Sequence, residues 1–328
     1  VAGVQDAGTP VGLYIEGILM EPTSDIGKAH GAEWQMLDSQ LKPYPHFAPS
    51  LNMCSWVEPW QDYLSDTYQR VQRESGARGF YIDEYGFEDY GRSCYSPAHG
   101  HPAPSTPAGG ERQMVRKVRQ KLGPQAAIYT EESPTDVNSQ YQDGSFTYNI
   151  SSVPDAWSPT HVNLYRFAIP TFKTIEIITC DKPLGSNVEA VKRILFNGEA
   201  IWLEGNWDKW FSKAVRGQIA LNHRVMRENR PCFAGDYVEA LVPTLLQGIY
   251  ANRFSERPDL AGKTCWTIYN TNYRTVRGEA IAVDHAPGAQ YLDEMTGNPL
   301  PVRVSGKRAY LTLDLAPRDV VVISRGLF

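Results

Sequence analysis

The chain of 328 residues has no uninterrupted apolar run of the roughly 18 residues a membrane-spanning helix needs, so no span is expected. Phosphate-binding glycine motifs are also missing. No GxGxxG follows an apolar strand and no P-loop occurs, which excludes the usual dinucleotide and nucleoside-triphosphate folds. There is no GxSxG, so the serine-hydrolase signature is absent. Basic runs are scarce. Beyond Arg116-Lys117-Val118-Arg119 the cations are scattered, and a net charge of −5 leaves no footprint for nucleic acid.

Cysteine is sparse and dispersed. Cys54, Cys94, Cys180, Cys232 and Cys265 form no CxxC and no Cys/His spacing of the kind that reads as a metal site. They are expected to be buried thiols, with at least one left free or paired between chains. The acids near residue 83 lack the DxDxDG calcium pattern. Neither a cofactor nor a metal is expected. No signal peptide is expected in the opening residues. Its start, VAGVQDAGTPVGLYIEGILM, has no initiator Met and reads as the end of a helix, a Gly-Thr-Pro break and a strand. The chain is therefore expected to begin within a domain, after processing or truncation, and a secreted or periplasmic location is favoured.

Aromatics are plentiful. There are 8 Trp and 18 Tyr, and Trp56, Trp60, Trp157, Trp202, Trp207 and Trp210 gather near the ends of candidate loops. Flat rings stack on sugars, although large cores use them too.

Strand-like runs at 11–20, 78–83, 126–131, 172–179 and 199–204, with a weaker one at 145–150, alternate with helical segments. The segment 58–76 carries Trp60, Tyr63, Leu64, Tyr68 and Val71 at helical spacing, with Pro59 near its start and Gly76 at its end. Helices are also expected over 108–123, over 187–197 with Asn187 as N-cap, and over 211–229. Nearly continuous apolar strands between helices indicate a parallel sheet covered by helices.

Acids recur where these strands end, at Glu16, Asp83, Glu131/Glu132, Asp181 and Glu204. That is where a (β/α)8 TIM-type barrel builds its site. Fewer strands than the barrel's eight can be counted before residue 230, so this chain is expected to lack the first strands. After residue 232 short alternating strands separated by Gly, Pro and Asn turns indicate an all-β sandwich. The expected organisation is a catalytic barrel over 1–230 and a sandwich over 231–328.

Hydrolysis of a glycosidic bond needs two carboxyl groups flanking it, one of them holding a proton for the leaving oxygen. In ESGARGFYIDEYG, residues 74–86, alternation puts Tyr81 and Asp83 on one face and Ile82 and Glu84 on the other. Asp83 is then the inward acid, and Glu84 is expected to face away in a structural role. In AAIYTEES the phase from Tyr129 selects Glu131, while an early break before Ser133-Pro134 would free Glu132, so both stay open. Glu16, Tyr81, Tyr85, Trp56, Trp202, Glu204 and Trp207 are the expected sugar contacts. Buried in a barrel mouth, Glu16 would need a partner such as Arg78 or Lys173.

The succession LNMCSWVEPWQDYLSDTYQRVQRESGARGFYIDEYG followed by AAIYTEESPTDV resembles bacterial glycoside-hydrolase-like proteins with a catalytic (β/α)8 barrel and a following β-sandwich. More distantly, it is similar to the α-amylase superfamily and the endo-α-N-acetylgalactosaminidases. The resemblance covers roughly residues 10–210 in layout. It implies Asp83, ending the fourth barrel strand, as nucleophile, and Glu131 or Glu132, ending the fifth, as acid/base. Tyr81 stands where the amylase superfamily has an Arg, which separates this chain from amylase-type substrates. The expected activity is retaining hydrolysis of an oligo- or polysaccharide. A non-catalytic carbohydrate-binding barrel and a metal-dependent hydrolase are the alternatives.

Overall fold

The computed structural model describes residues 1–45, 47, 49–85, 92–134, 137–147, 162–178, 187–203 and 205–326. The chain divides into two compact units, Val1–Thr147 and Tyr148–Phe328. The first runs α1 (Ala2–Asp6), β1 (Gly12–Glu16), β2 (Leu19–Met20), α2 (Asp25–Trp34), β3 (Leu51–Asn52), α3 (Glu58–Ser75), β4 (Gly79–Asp83), α4 (Ala108–Leu122), β5 (Ala127–Thr130) and β6 (Gly144–Thr147). Strands β1, β4, β5 and β6 pair in that order, all parallel.

Helix α3 forms where its periodicity predicts. Its first turn carries the proline, and Gly76 closes it in the left-handed region at φ 71°, where a side chain would be strained. Trp60, Leu64 and Tyr68 of α3, with Met114, Val115 and Val118 of α4, bury one face of each helix against Phe80, Ile82 and Ile128. Tyr68 meets Phe80 edge-on at 5.4 Å. Each such side chain contributes about 1.5–3 kcal/mol by leaving water.

Two features depart from the periodic reading. The run at 11–20 breaks into β1 and β2, because the Glu16 carboxylate takes the backbone N–H groups of Gly17, Ile18 and Leu19 that a continuous strand would have used. Helix α2 was not expected. Its buried positions are Gly27, Gly31 and Trp34, so the buried face is largely bare backbone and carries almost no apolar signal. A Cβ on Gly31 would lie 2.4 Å from Leu51, and one on Gly27 would lie 2.2 Å from the Glu21 carbonyl oxygen.

The opposite phase of the sheet is aromatic. Tyr14, Tyr81 and Tyr129 are register partners on β1, β4 and β5. Tyr14 and Tyr81 lie 5.6 Å apart, and Phe146 of β6 meets Tyr81 edge-on at 4.6 Å. One step further toward the strand ends, on the same phase, Glu16 pairs in register with Asp83.

The second unit continues with α5 (Leu164–Ala168), β7 (Lys173–Ile178), α6 (Val188–Asn197), β8 (Ala200–Leu203), α7 (Trp207–Trp210), α8 (Lys213–Glu228) and α9 (Arg230–Phe233). Strands β7 and β8 are parallel neighbours. The side chain of Asn187 caps α6 by accepting from the Ala190 N–H at 3.1 Å, as its position predicts.

The chain then becomes antiparallel, through β9 (Tyr237–Val242), β10 (Ile249–Ser255), β11 (Thr264–Asn270), β12 (Val276–Asp284), β13 (Gln290–Asp293), β14 (Asn298–Pro299), β15 (Val302–Ser305), β16 (Arg308–Leu315) and β17 (Val320–Gly326). One sheet runs β14-β13-β17-β11-β10-β9 and the other β12-β16-β15. Trp266, Ile268, Ile281, Leu311 and Ile323 share their core. Helix α6 packs onto this region. The Phe196 carbonyl accepts from Asn252 Nδ2 and Thr267 Oγ1, and the Phe196 ring lies 5.4 Å from Tyr269. These contacts make α6 and the sandwich one unit, whereas the change from βα alternation to antiparallel strands comes after α9.

Candidate functional site

The strand ends of the first unit bring three acids together. Asp83 closes β4, and its carboxylate accepts two tyrosine hydroxyls, from Tyr14 at 2.5 Å on Oδ2 and from Tyr81 at 2.6 Å on Oδ1. Tyr81 shares a strand face with Asp83, and Tyr14 reaches over from β1. Tyr14 is a site residue that the sequence reading passed over, although its two-residue spacing from Glu16 mirrors that of Tyr81 from Asp83. Loss of solvent, and then the Asp83 carboxylate, push the Tyr14 hydroxyl far above its ordinary pKa. It stays a neutral donor.

Glu16 is held differently from what was expected. Instead of Arg78 or Lys173, its Oε1 accepts the N–H groups of Gly17, Ile18 and Leu19 at 2.9, 3.1 and 3.3 Å, and Oε2 lies 3.3 Å from the Tyr14 hydroxyl. Backbone donors at a strand break replace a cation. Burial raises the Glu16 pKa, the Ile18 and Leu19 N–H groups lower it, and Asp83 adds to the rise.

Glu84 corrects the alternation argument. The strand stops at Asp83, and Glu84 adopts the left-handed conformation at φ 55°. A residue there no longer obeys the two-residue period, so its side chain is not sent to the opposite face. Its carboxylate comes within 4.8 Å of those of Asp83 and Glu131, and the residue is only 8% exposed. Burial and then the Asp83 charge raise its pKa to about 7, with Arg92 pulling the other way.

Glu131 follows β5 directly. Its Oε2 accepts the Glu84 N–H at 2.9 Å, and its own N–H donates to the Ile82 carbonyl. Glu132 is anchored through its backbone, with its N–H on the Tyr85 carbonyl and its carbonyl accepting Thr130 Oγ1. Tertiary contact thus brings Glu131 beside Asp83.

The expected sugar contacts fall in several places. Tyr81 is in the acid cluster. Tyr85 is 1% exposed, with its ring where a Cβ on Gly17 would stand, so it packs in the core and offers no face to a sugar. Trp56 donates its indole N–H to Thr106 and lines a groove of about 660 Å³ with Trp34, Gln61, His99, Gln113 and Arg116. Trp202 lies on β8, and Trp207, 38% exposed, opens α7. Glu204 and Asp181 lie outside the described residues. Cys54 and Cys94, far apart in sequence, converge with His99 and His101, which the spacing argument did not anticipate.

The chemistry available at the strand ends is that of paired carboxyl groups. Three carboxyls this close do not all ionise together near neutral pH. Burial and the Asp83 charge favour the protonated form of Glu84, while two tyrosine hydroxyls donate to Asp83.

The fold is shared with glycoside hydrolases. The chain is similar to a maltogenic α-amylase from Thermotoga neapolitana, with a TM-score of 0.65 and 12% identity over 100% of this chain and 80% of the other. It is similar to the α-amylase from Geobacillus thermoleovorans, with a TM-score of 0.68 and 11% identity over 99% and 79%. A third neighbour is a GH27 β-L-arabinopyranosidase from Geobacillus stearothermophilus, with a TM-score of 0.55 and 8% identity over 99% and 75%. Identities this low speak for the fold, which is a barrel-type βα sheet followed by an antiparallel sandwich. No curated protein matches the chain in sequence. Residues 1–165, half of the chain, match the family described as Domain of unknown function (DUF6259), and the chain belongs to that family.

Proposed function

We propose that the protein is a retaining glycoside hydrolase acting on an oligo- or polysaccharide, with Asp83 as nucleophile and Glu131 as acid/base. The observation that carries this reading is the meeting of Asp83 and Glu131 at the ends of neighbouring parallel strands, their carboxylate oxygens within 4.8 Å. A retaining mechanism uses carboxyl groups about 5–5.5 Å apart, whereas an inverting one needs about 6.5–9.5 Å to admit a water. Asp83 attacks the anomeric carbon as the glycosidic oxygen leaves with a proton from Glu131. Glu131, now a base, takes a proton from water, which releases the sugar and regenerates both groups.

Glu84 supports this cycle by holding a proton up to about pH 7 beside the other two acids, which limits the negative charge crowded around Asp83. Tyr14 and Tyr81 orient the nucleophile and offer ring faces to a sugar. The test is a screen against aryl glycosides and polysaccharides with Asp83→Asn as blank. Product from the wild type alone supports the assignment, and equal turnover by the variant would sink it.

A metal-dependent hydrolase is the second reading. Asp83, Glu84 and Glu131 together present three hard oxygen ligands. Turnover that a chelator abolishes and a divalent cation restores favours it.

A further inference from the structure

We propose that Cys54, Cys94, His99 and His101 form a structural zinc site. One ligand atom from each lies within 4.8 Å of all the others. Cys54 Sγ is 3.6 Å from His101 Nε2, and Cys94 Sγ is 3.3 Å from His99 Nδ1. A tetrahedral zinc about 2.3 Å from sulfur and about 2.0–2.1 Å from nitrogen sets sulfur–nitrogen edges near 3.6 Å. Two of the sulfur–nitrogen pairs already stand at nearly that separation.

The imidazole tautomers agree with this role. His99 Nε2 lies 2.9 Å from the Glu33 carbonyl, and His101 Nδ1 lies 2.8 Å from the Pro102 carbonyl. A carbonyl only accepts, so each of those nitrogens carries the ring proton. In the neutral rings, the nitrogens facing the sulfurs, His99 Nδ1 and His101 Nε2, then present their lone pairs. A metal-bound histidine has this arrangement, its outer N–H fixed by a carbonyl.

The backbone presents the ligands in a set frame. Cys94 and Ser105 exchange two backbone hydrogen bonds, at 2.8 and 3.1 Å, and so clasp the loop that bears both histidines. The Tyr95 N–H donates to Leu37 and the Cys54 N–H to Trp34. All four residues are buried, none more than 9% exposed. Four protein ligands with no open position describe a structural ion, not a catalytic one. Such an ion would tie the segment preceding α4 to the segment that connects β3 to α3. Thiolates and imidazoles select zinc over the hard cations that the acid cluster would take.

The experiment is metal analysis of the full chain grown with zinc and dialysed without chelator. One zinc per chain is expected in the wild type and in Asp83→Asn, and its loss in Cys94→Ser and His99→Ala. His99→Cys, which keeps four soft ligands, is expected to retain it. Should the loss variants fail to fold, the wild type itself decides. After chelation, titration with Co²⁺ is expected to give sulfur-to-cobalt charge-transfer absorption saturating at one equivalent. Substoichiometric zinc without that absorption, or a Cys54–Cys94 disulfide in the peptide map, overturns the proposal. None of these readouts depends on glycosidase activity.

Discussion

The backbone N–H of Glu84 donates to Oε2 of Glu131 at 2.9 Å, joining the ends of two neighbouring parallel strands. The donor is free to point this way because β4 has ended and Glu84 is left-handed. One local conformation therefore brings a third acid into the cluster and fixes the second.

Removing the two proposed reacting carboxyls should separate their roles. Asp83→Asn and Glu131→Gln are each expected to lower kcat/KM by at least about 1,000-fold, or about 4 kcal/mol of transition-state free energy. Glu132→Gln should stay within about tenfold of wild type. Steady-state kinetics on an aryl glycoside with circular dichroism of each variant checks this. A dead Glu132→Gln beside an active Glu131→Gln reverses the assignment of acid/base.

Glu84 should make stability depend on pH. Its folded pKa, about 7, lies above its ordinary value of 4.5. For a raised acid, the stabilisation is fully present below the unfolded pKa and lost as pH rises through the folded one. The wild type is therefore expected to lose on the order of 2 kcal/mol between about pH 4.5 and 7 from this group. Glu84→Gln, always neutral, should flatten that slope in urea unfolding measured across the range. An unchanged slope counts against a buried, protonated Glu84.

Tyr81→Phe removes one of the two hydroxyls on Asp83. A hydrogen bond to a charged group contributes about 1.5–3 kcal/mol. The variant should therefore lose about 10- to 100-fold in kcat/KM with a modestly lowered melting temperature, and Tyr14→Phe should behave alike. Wild-type rates in the double variant would show that these hydroxyls do not orient the nucleophile.

Gly17→Ala probes the packing beneath the site. The added methyl would lie 2.5 Å from the Asp83 carbonyl oxygen and 2.6 Å from the Tyr85 ring. Overpacking of this kind costs about 1–3 kcal/mol. Calorimetry should show the lowered melting temperature, and activity should fall because Asp83 is displaced. A variant as stable and active as wild type would mean the close approach is easily relieved.

The order of elements was legible because it rests on local physics. Helical spacing from Trp60 to Val71, with Pro59 and Gly76 as punctuation, delimited α3 nearly to the residue. β-branched and aromatic runs marked β4, β5, β7 and β8, and two-residue alternation marked the sandwich. The pairing of Asp83 with the next strand's acid was readable too, since parallel neighbours end at the same level. Helix α2 was not legible, because glycine fills its buried face and leaves no hydrophobic period to detect.

The rest needed the tertiary fold. Alternation assigned Glu84 to the wrong face, because a left-handed residue beyond a strand end obeys no period, and only the three-dimensional path reveals that conformation. Glu16 was expected to find a cation and found backbone N–H groups, a partner no residue pattern encodes. Tyr85 looked like a sugar contact until packing against Gly17 buried it. Cys54 stands forty residues before Cys94, so spacing could not join it to His99 and His101. Composition and local periodicity determined most of the strands and helices and which acids end the strands. Folding alone decided which side chains meet, because contact depends on how distant segments return to the same point in space.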